Sequence, residues 1–391
     1  MKLSTKNIHL GLKESDAIFG SVVPPIYLSS AYVFPSAKEG ALRFAGKSKG
    51  MIYSRFTNPT VSNLEVRLAA LEEGGVAIAT ASGMSATALV LLHFLKTGDS
   101  IIASRVLYGG TYELIFHIIE KRFGIKVKTV DLHDIAAVKK AIDKTTKIIY
   151  FESPTNPLME IFEIKKIAGL ARKHGIITVF DNTFAPPPLQ YPLKLGADIV
   201  IQSLTKYIGG HADLIGGAVI GSKKLLQPLF AESFIFFGPT MSPFTAYLAM
   251  RGLETLEIRL KKQSDSTLKI AHFLQSHPKI SRVYYPGLKS HPQYNIAKSQ
   301  MTGFGSVLSF EVTGGYKAGE KLVNSVKTIH LAVSLGAVSS LIEHPASMTH
   351  SELTPQERKK AGIGDGVIRL SIGLEDIDDL IHDLKAALHK I

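Results

Sequence analysis

The sequence predicts an α/β protein: a mostly parallel sheet covered by helices, followed by a smaller α/β unit. Three observations carry this. Between residues 76 and 221 short apolar runs alternate with stretches of helical periodicity, as strands and crossover helices do. Residues 245–273 then hold a long helical spacing. Beyond it strand-like runs return at 306–310 and 368–371, with helices at 316–325 and 375–389.

Taken in order, residues 1–60 have mixed polarity, little periodicity and turn signals at Pro24-Pro25 and Asn58-Pro59, so they are expected to form an extended arm. Strands are predicted at 76–80, 100–104, 126–130, 147–151, 177–181, 198–202 and 218–221. Helices are predicted between them at 85–96, 111–123, 135–143 and 163–174. The expected division is an arm (1–60), a large domain (61–250) and a smaller C-terminal domain (251–391) entered by the long helix.

With 391 residues, 45% of them hydrophobic, the chain can bury a large core. No apolar run is long enough to cross a bilayer. Met1 to Ser21 lacks an apolar core with a cleavage site, so no secretory leader is expected and a cytoplasmic protein is. The absence of cysteine excludes disulfides, thiolate metal sites and a cysteine nucleophile. A net charge of +12 raises the question of nucleic acid. The basic residues are dispersed, however, and no nucleic-acid-binding motif accompanies them, so no such partner is expected. His344 and His350 flank Met348-Thr349 without a carboxylate set, and no metal site is expected.

Chemistry concentrates in four segments. In Asp198-Ile-Val-Ile-Gln-Ser203-Leu-Thr205-Lys206 a β-branched run ends in two hydroxyls and a lysine. A lysine at a strand's end can reach into a cleft, and Schiff-base chemistry needs an amine that burial and a nearby cation keep neutral. In Val179-Phe180-Asp181 a hydrophobic strand closes on a carboxylate, which at the mouth of a parallel sheet can hold a ring nitrogen protonated or simply cap a turn. In Ser82-Gly83-Met84-Ser85 a strand passes through small residues into a helix whose free amides suit a phosphate. Gly83-Met-Ser85-Ala-Thr87 approaches a hydrolase elbow but lacks its last glycine. Finally, Tyr53 and Arg55 point to one side of the extended arm, where arginine can grip phosphate oxygens, although Asn58-Pro59 alone would explain a surface turn.

Together these segments resemble the Cys/Met-metabolism family of pyridoxal-phosphate enzymes, which includes methionine γ-lyase, cystathionine γ-lyase and cystathionine γ-synthase. The likeness extends over nearly the whole chain. Besides the segments above it includes Leu107-Tyr108-Gly-Gly-Thr, Glu152-Ser-Pro-Thr-Asn156-Pro, His344-Pro-Ala-Ser-Met-Thr-His and Ile368-Arg369-Leu-Ser-Ile-Gly. Leu204 stands where the family usually has a smaller residue. The resemblance implies a fold-type I transferase with pyridoxal 5′-phosphate on Lys206. It further implies Asp181 at the ring nitrogen and Asn156 near the phenolic oxygen. Gly83, Met84, Ser203 and Thr205 would hold the phosphate, helped by Tyr53 and Arg55 from a neighbouring subunit of a tetramer built as a dimer of dimers. Tyr108 would stack on the ring and act as an acid. Arg369, assisted by Ser334, would bind the α-carboxylate.

The expected reaction is γ-elimination on a sulfur amino acid, giving a thiol, 2-oxobutanoate and ammonia. Val333 points that way, because cystathionine enzymes commonly carry Glu there. Gly110 points to cystathionine enzymes instead, since methionine γ-lyases typically have Cys at that place. The Lys-Asp pair of those lyases is also replaced, by Phe234 and Ile235. Cystathionine γ-synthase or γ-lyase activity is therefore the alternative. A non-catalytic binding protein on the same fold is disfavoured, because every expected catalytic position is filled.

Overall fold

The structure is a computed structural model that describes residues 1–11, 20–349, 351, 354–360 and 362–391; His350 lies outside them. The first sheet comprises β1 (Val76–Thr80), β2 (Ser100–Ser104), β3 (Lys126–Val130), β4 (Thr146–Glu152), β5 (Ile177–Asp181), β6 (Ile199–Ser203) and β7 (Gly217–Gly221). Its seven strands run in the order β1-β7-β6-β5-β4-β2-β3. All neighbours from β6 to β3 are parallel, whereas β7 is antiparallel to both β1 and β6. β2 and β7 are buried at every position, as expected where helices cover both faces. The edge strand β3 is not, and its Lys126 and Lys128 discourage pairing with another chain.

The second sheet holds β8 (Ile280–Tyr284), β9 (Val307–Val312), β10 (His330–Leu331), β11 (Leu341–Glu343) and β12 (Val367–Ser371), ordered β10-β11-β12-β9-β8. Only the β10–β11 pair is parallel. Its own core includes Phe310, Ile342, Ile368, Leu370, Leu380 and Leu384. Each such side chain contributes about 1.5–3 kcal/mol when fully removed from water. The predictions at 306–310 and 368–371 fall on β9 and β12; β8, β10 and β11 went unread, the latter two being very short.

The helices differ from expectation at three places. The stretch expected at 111–123 is helical, but residues Glu113–Ile119 are wound as a π-helix between short α turns. Side-chain periodicity does not reveal that winding. The long helix expected at 245–273 is two helices, Pro243–Glu254 and Leu256–Gln275, broken at Thr255. Gly252 lies so close to the carbonyls of Ile208 and Gly209 that any Cβ would collide with them. The buried Arg259 donates to the Gly252 carbonyl at 2.7 Å and to the Tyr207 carbonyl at 2.8 Å, satisfying the chain at the break.

The third difference is at the N-terminus. Helix Leu3–His9 packs against helices Pro59–Leu71 and Pro243–Glu254 of its own chain rather than extending away. Arg67, fully buried, donates to the Leu10 carbonyl and the Asn7 carbonyl, both at 3.0 Å. A buried guanidinium must find acceptors, and the carbonyls at the C-terminal end of this helix supply two.

Candidate active site

Parallel pairing brings the carboxyl ends of β4, β5 and β6 side by side: Glu152 sits opposite Asp181, and Asp181 opposite Ile201. Ligands bind at such edges because the loops there leave in one direction. Thr183 ties two of them together. Its amide donates to Asp181 Oδ1 at 3.0 Å, and its hydroxyl accepts the Ser203 amide at 2.9 Å.

Lys206 stands just past β6, in a turn closed by hydrogen bonds from Lys206 N–H to the Ser203 carbonyl and from Gly210 N–H to the Lys206 carbonyl. Its Nζ donates to Ser334 Oγ at 2.7 Å. Burial, then the positive charge of Arg369, lower its pKa to about 8, while Glu343 acts the other way. A useful fraction of neutral amine is thus present near neutral pH, which a Schiff-base lysine requires. Ser334 itself has φ +94°, a conformation that L residues rarely adopt and that tends to mark functional sites.

Arg369, on β12, is almost fully buried. It donates to Asn156 Oδ1 at 2.9 Å and to the Ser334 carbonyl at 2.9 Å, and pairs with Glu343 Oε1 at 3.1 Å. Glu343 faces it in register across β11–β12. Lys206, Ser334, Arg369 and Asn156 therefore form one connected group. Val333 precedes Ser334 and is half exposed.

Behind β6, helix Gly83–Phe94 begins against Ser203: a Cβ on Gly83 would lie 3.0 Å from Ser203 Cβ, so any larger residue would have to push Ser203 aside. Ser82 Oγ accepts the Ser85 amide at 3.0 Å and Ser85 Oγ accepts the Ser82 amide at 2.9 Å. Both serines are thus spent on a capping box, which leaves the Gly83 and Met84 amides, without acceptors inside the helix, facing outward. Free amides at a helix start suit an anion, and with both serines held in the cap the arrangement does not match a nucleophile elbow. The Thr205 hydroxyl accepts the Gly216 amide at 3.1 Å and donates to the Gly216 carbonyl at 3.3 Å. Tyr108 opens the turn Gly109–Tyr112 and is half exposed. Gly110 lies under its ring, where a Cβ would stand 2.8 Å from Tyr108 Cε1.

Tyr53 and Arg55 are elsewhere. Arg55 donates to the Ile235 carbonyl and lies over the Tyr53 and Phe56 rings, with centroids 5.8 and 5.0 Å away. Neither residue touches the Lys206 group of its own chain.

The residues present fit pyridoxal phosphate. Asp181 is a carboxylate whose pKa burial raises, and it lacks a cationic partner among the described residues; a protonated ring nitrogen would supply one. An amine of depressed pKa and a helix start whose free amides could receive a phosphate stand on the same sheet edge. The description Cys/Met metabolism PLP-dependent enzyme matches residues 4–389. The chain belongs to this family.

It is 46% identical over 391 residues to an L-methionine γ-lyase of Fusobacterium nucleatum subsp. polymorphum, covering all of this chain and 98% of that one. It is 44% identical over 365 residues to the O-succinylhomoserine sulfhydrylase of Pseudomonas aeruginosa, covering 93% and 90%. The solved cystathionine γ-lyase of Lactobacillus plantarum, complexed with L-serine, superposes with a TM-score of 0.93 at 40% identity over 100% and 99% of the two chains. As a member of the family the chain is a pyridoxal-phosphate-dependent enzyme of sulfur amino acid metabolism, acting on a small-molecule substrate. Among the described residues no helix is long and apolar enough to cross a membrane.

Glu343 was not read from the sequence, and Glu152 and Thr183, though they lie in the segments that carry the resemblance, were given no role there. Glu152 closes the apolar run Lys147-Ile-Ile-Tyr-Phe151 just as Asp181 closes its own strand, and Glu343 ends Leu341-Ile342; a carboxylate terminating a buried strand was the available signal.

Proposed function

We propose that the chain catalyses γ-elimination from methionine, releasing methanethiol, 2-oxobutanoate and ammonia. The observation that carries this reading is Val333. On the exposed side of the Lys206–Ser334 contact it offers an apolar surface, which suits a thioether terminus and leaves a second ammonium group without a counter-charge there. The L-methionine γ-lyases among the relatives, at 43–46% identity, support it.

In this scheme the bound cofactor supplies the electron sink for the charge left at the α-carbon. The chain does the rest. Arg369, held by Asn156, Ser334 and Glu343, presents its guanidinium to the substrate α-carboxylate. With its Oδ1 turned to Arg369, Asn156 keeps its amide N–H groups for the cofactor's phenolic oxygen. Lys206 would hold the cofactor, and its amine would take the α-proton, move it on and then remove a β-proton. The thiolate leaves from the γ-carbon, and Tyr108 protonates it. Asp181 holds the ring nitrogen charged. Gly83, Met84, Ser203 and Thr205 seat the phosphate together with Tyr53 and Arg55 of the partner subunit, in a cytoplasmic tetramer assembled from two such dimers.

Gly110 favours a second reading. With no side chain beneath the Tyr108 ring, the pocket resembles that of cystathionine enzymes, which would act on cystathionine or an O-acylhomoserine. Incubation with methionine, with cystathionine, and with O-acylhomoserine plus cysteine, followed by product identification, separates the two. Methanethiol and 2-oxobutanoate from methionine are expected; cystathionine formation alone overturns the first reading.

A further inference from the structure

Glu152 has no part in the scheme above, yet it is 4% exposed, sits beside Asp181 and has no cation to neutralise it among the described residues. Burial, then the nearby Asp181 charge, push its carboxyl up to about 8. Keeping such a group is costly, and its contacts show what it does. Glu152 Oε2 accepts the Tyr108 backbone amide at 3.0 Å, and Oε1 accepts the Asn156 backbone amide at 3.3 Å. Tyr108 lies on the loop after β2 and Asn156 on the loop after β4, and β2 and β4 are parallel neighbours whose loops leave the same sheet edge.

We infer that Glu152 is a positioning residue that clamps the Tyr108 loop to the Asn156 loop, and through Asn156 to Arg369. This deepens the proposed γ-elimination, on which it rests. Tyr108 would serve the leaving group and Arg369 the α-carboxylate, so one carboxylate sets the distance between the groups that handle the two ends of the substrate. The residue type follows from the contacts. Two amides need two acceptors; both oxygens of a carboxyl group can accept, ionised or with its one proton turned away, whereas glutamine provides one acceptor oxygen and an NH2 that would face an amide N–H.

The test is amide hydrogen exchange on the full-length holoenzyme, beside steady-state kinetics on whichever sulfur amino acid the unmodified enzyme turns over. In the unmodified enzyme both the Tyr108 and Asn156 amides are expected to be protected. In Glu152→Gln at least one should exchange on the order of tenfold faster, as befits loss of a buried hydrogen bond. KM should rise through Arg369 and kcat fall through Tyr108, while the bound cofactor's visible absorbance persists. Glu152→Asp, with two acceptors on a shorter stem, should recover part of both effects. Fast exchange of these amides in the unmodified enzyme overturns the inference even if the variants do not fold. So does unchanged exchange or unchanged kinetics in Glu152→Gln, or an equal loss in Asp and Gln. Exchange does not depend on which substrate is cleaved, so its failure is distinguishable from failure of the γ-elimination reading.

Discussion

The half of the site around Lys206 and the half around Arg55 are finished to different degrees. Lys206, Ser334, Arg369, Asn156 and Glu343 are linked by hydrogen bonds and an ion pair of 2.7 to 3.1 Å and are drawn from both sheets of one chain. Arg55 and Tyr53 follow the exposed Phe44 in the chain, and Arg55 rests on two aromatic faces and on the Ile235 carbonyl, which precedes the exposed Phe236 and Phe237. A desolvated charge needs its partners fixed, so the first half is closed within the chain. The second half presents charge and apolar surface together, which is what a subunit interface uses. The difference teaches that the residues proposed for the amine and carboxylate ends of the chemistry are joined within one chain, whereas the phosphate end is proposed to be completed by another copy.

The largest expected effect lies in the finished half. Lys206→Ala should lower turnover on the order of 10³-fold or more, since the Schiff-base amine is lost; full turnover in that variant would remove the Lys206 assignment altogether. The division between halves is tested more sharply by mixing subunits. Arg55→Ala should weaken cofactor binding roughly tenfold or more through loss of a bidentate phosphate contact. Co-expression of Arg55→Ala with Lys206→Ala chains should restore activity, because a mixed dimer holds one site with both residues intact. No recovery would mean that Arg55 serves its own chain or no site.

The smallest effect concerns protons. The Lys206 pKa is lowered by Arg369 and raised by Glu343. In Arg369→Met the lowering charge is lost and the Glu343 carboxylate is unpaired, so both changes move the midpoint up from about 8 toward the ordinary lysine range. Cofactor capture by the apo-protein, followed against pH, should therefore slow several-fold near neutrality and recover at high pH, where the amine is neutral in both proteins. An unchanged midpoint would show that the Arg369 charge does not reach the amine.

Much of this was legible in the sequence, and for identifiable reasons. Strands β1, β2, β3 and β5 fall where they were expected; β2 and β5, buried between parallel neighbours, leave near-continuous hydrophobic signatures, whereas the edge strand β3 is marked by its β-branched Val127, Thr129 and Val130. Ser82, Gly83, Asp181 and Lys206 were marked by ending such runs. Local periodicity does not report what distant carbonyls demand, so the break at Thr255, set by Gly252 and Arg259, went unread, as did the docking of helix Leu3–His9 on Arg67.

By itself, then, the sequence determined the alternation of strand and helix and the residue types at the strand ends, since burial and turn chemistry act on near neighbours along the chain. Only the tertiary structure decided that Lys206 meets Ser334, that Arg369 shares Asn156 and Glu343, and that Glu152 spans two loops. Those partners lie far apart in the chain, up to 213 positions for Arg369 and Asn156, and are brought together by strand order and register. Hydrogen bonds and buried charges act over a few ångströms of space, and only the folded chain defines which residues those ångströms separate.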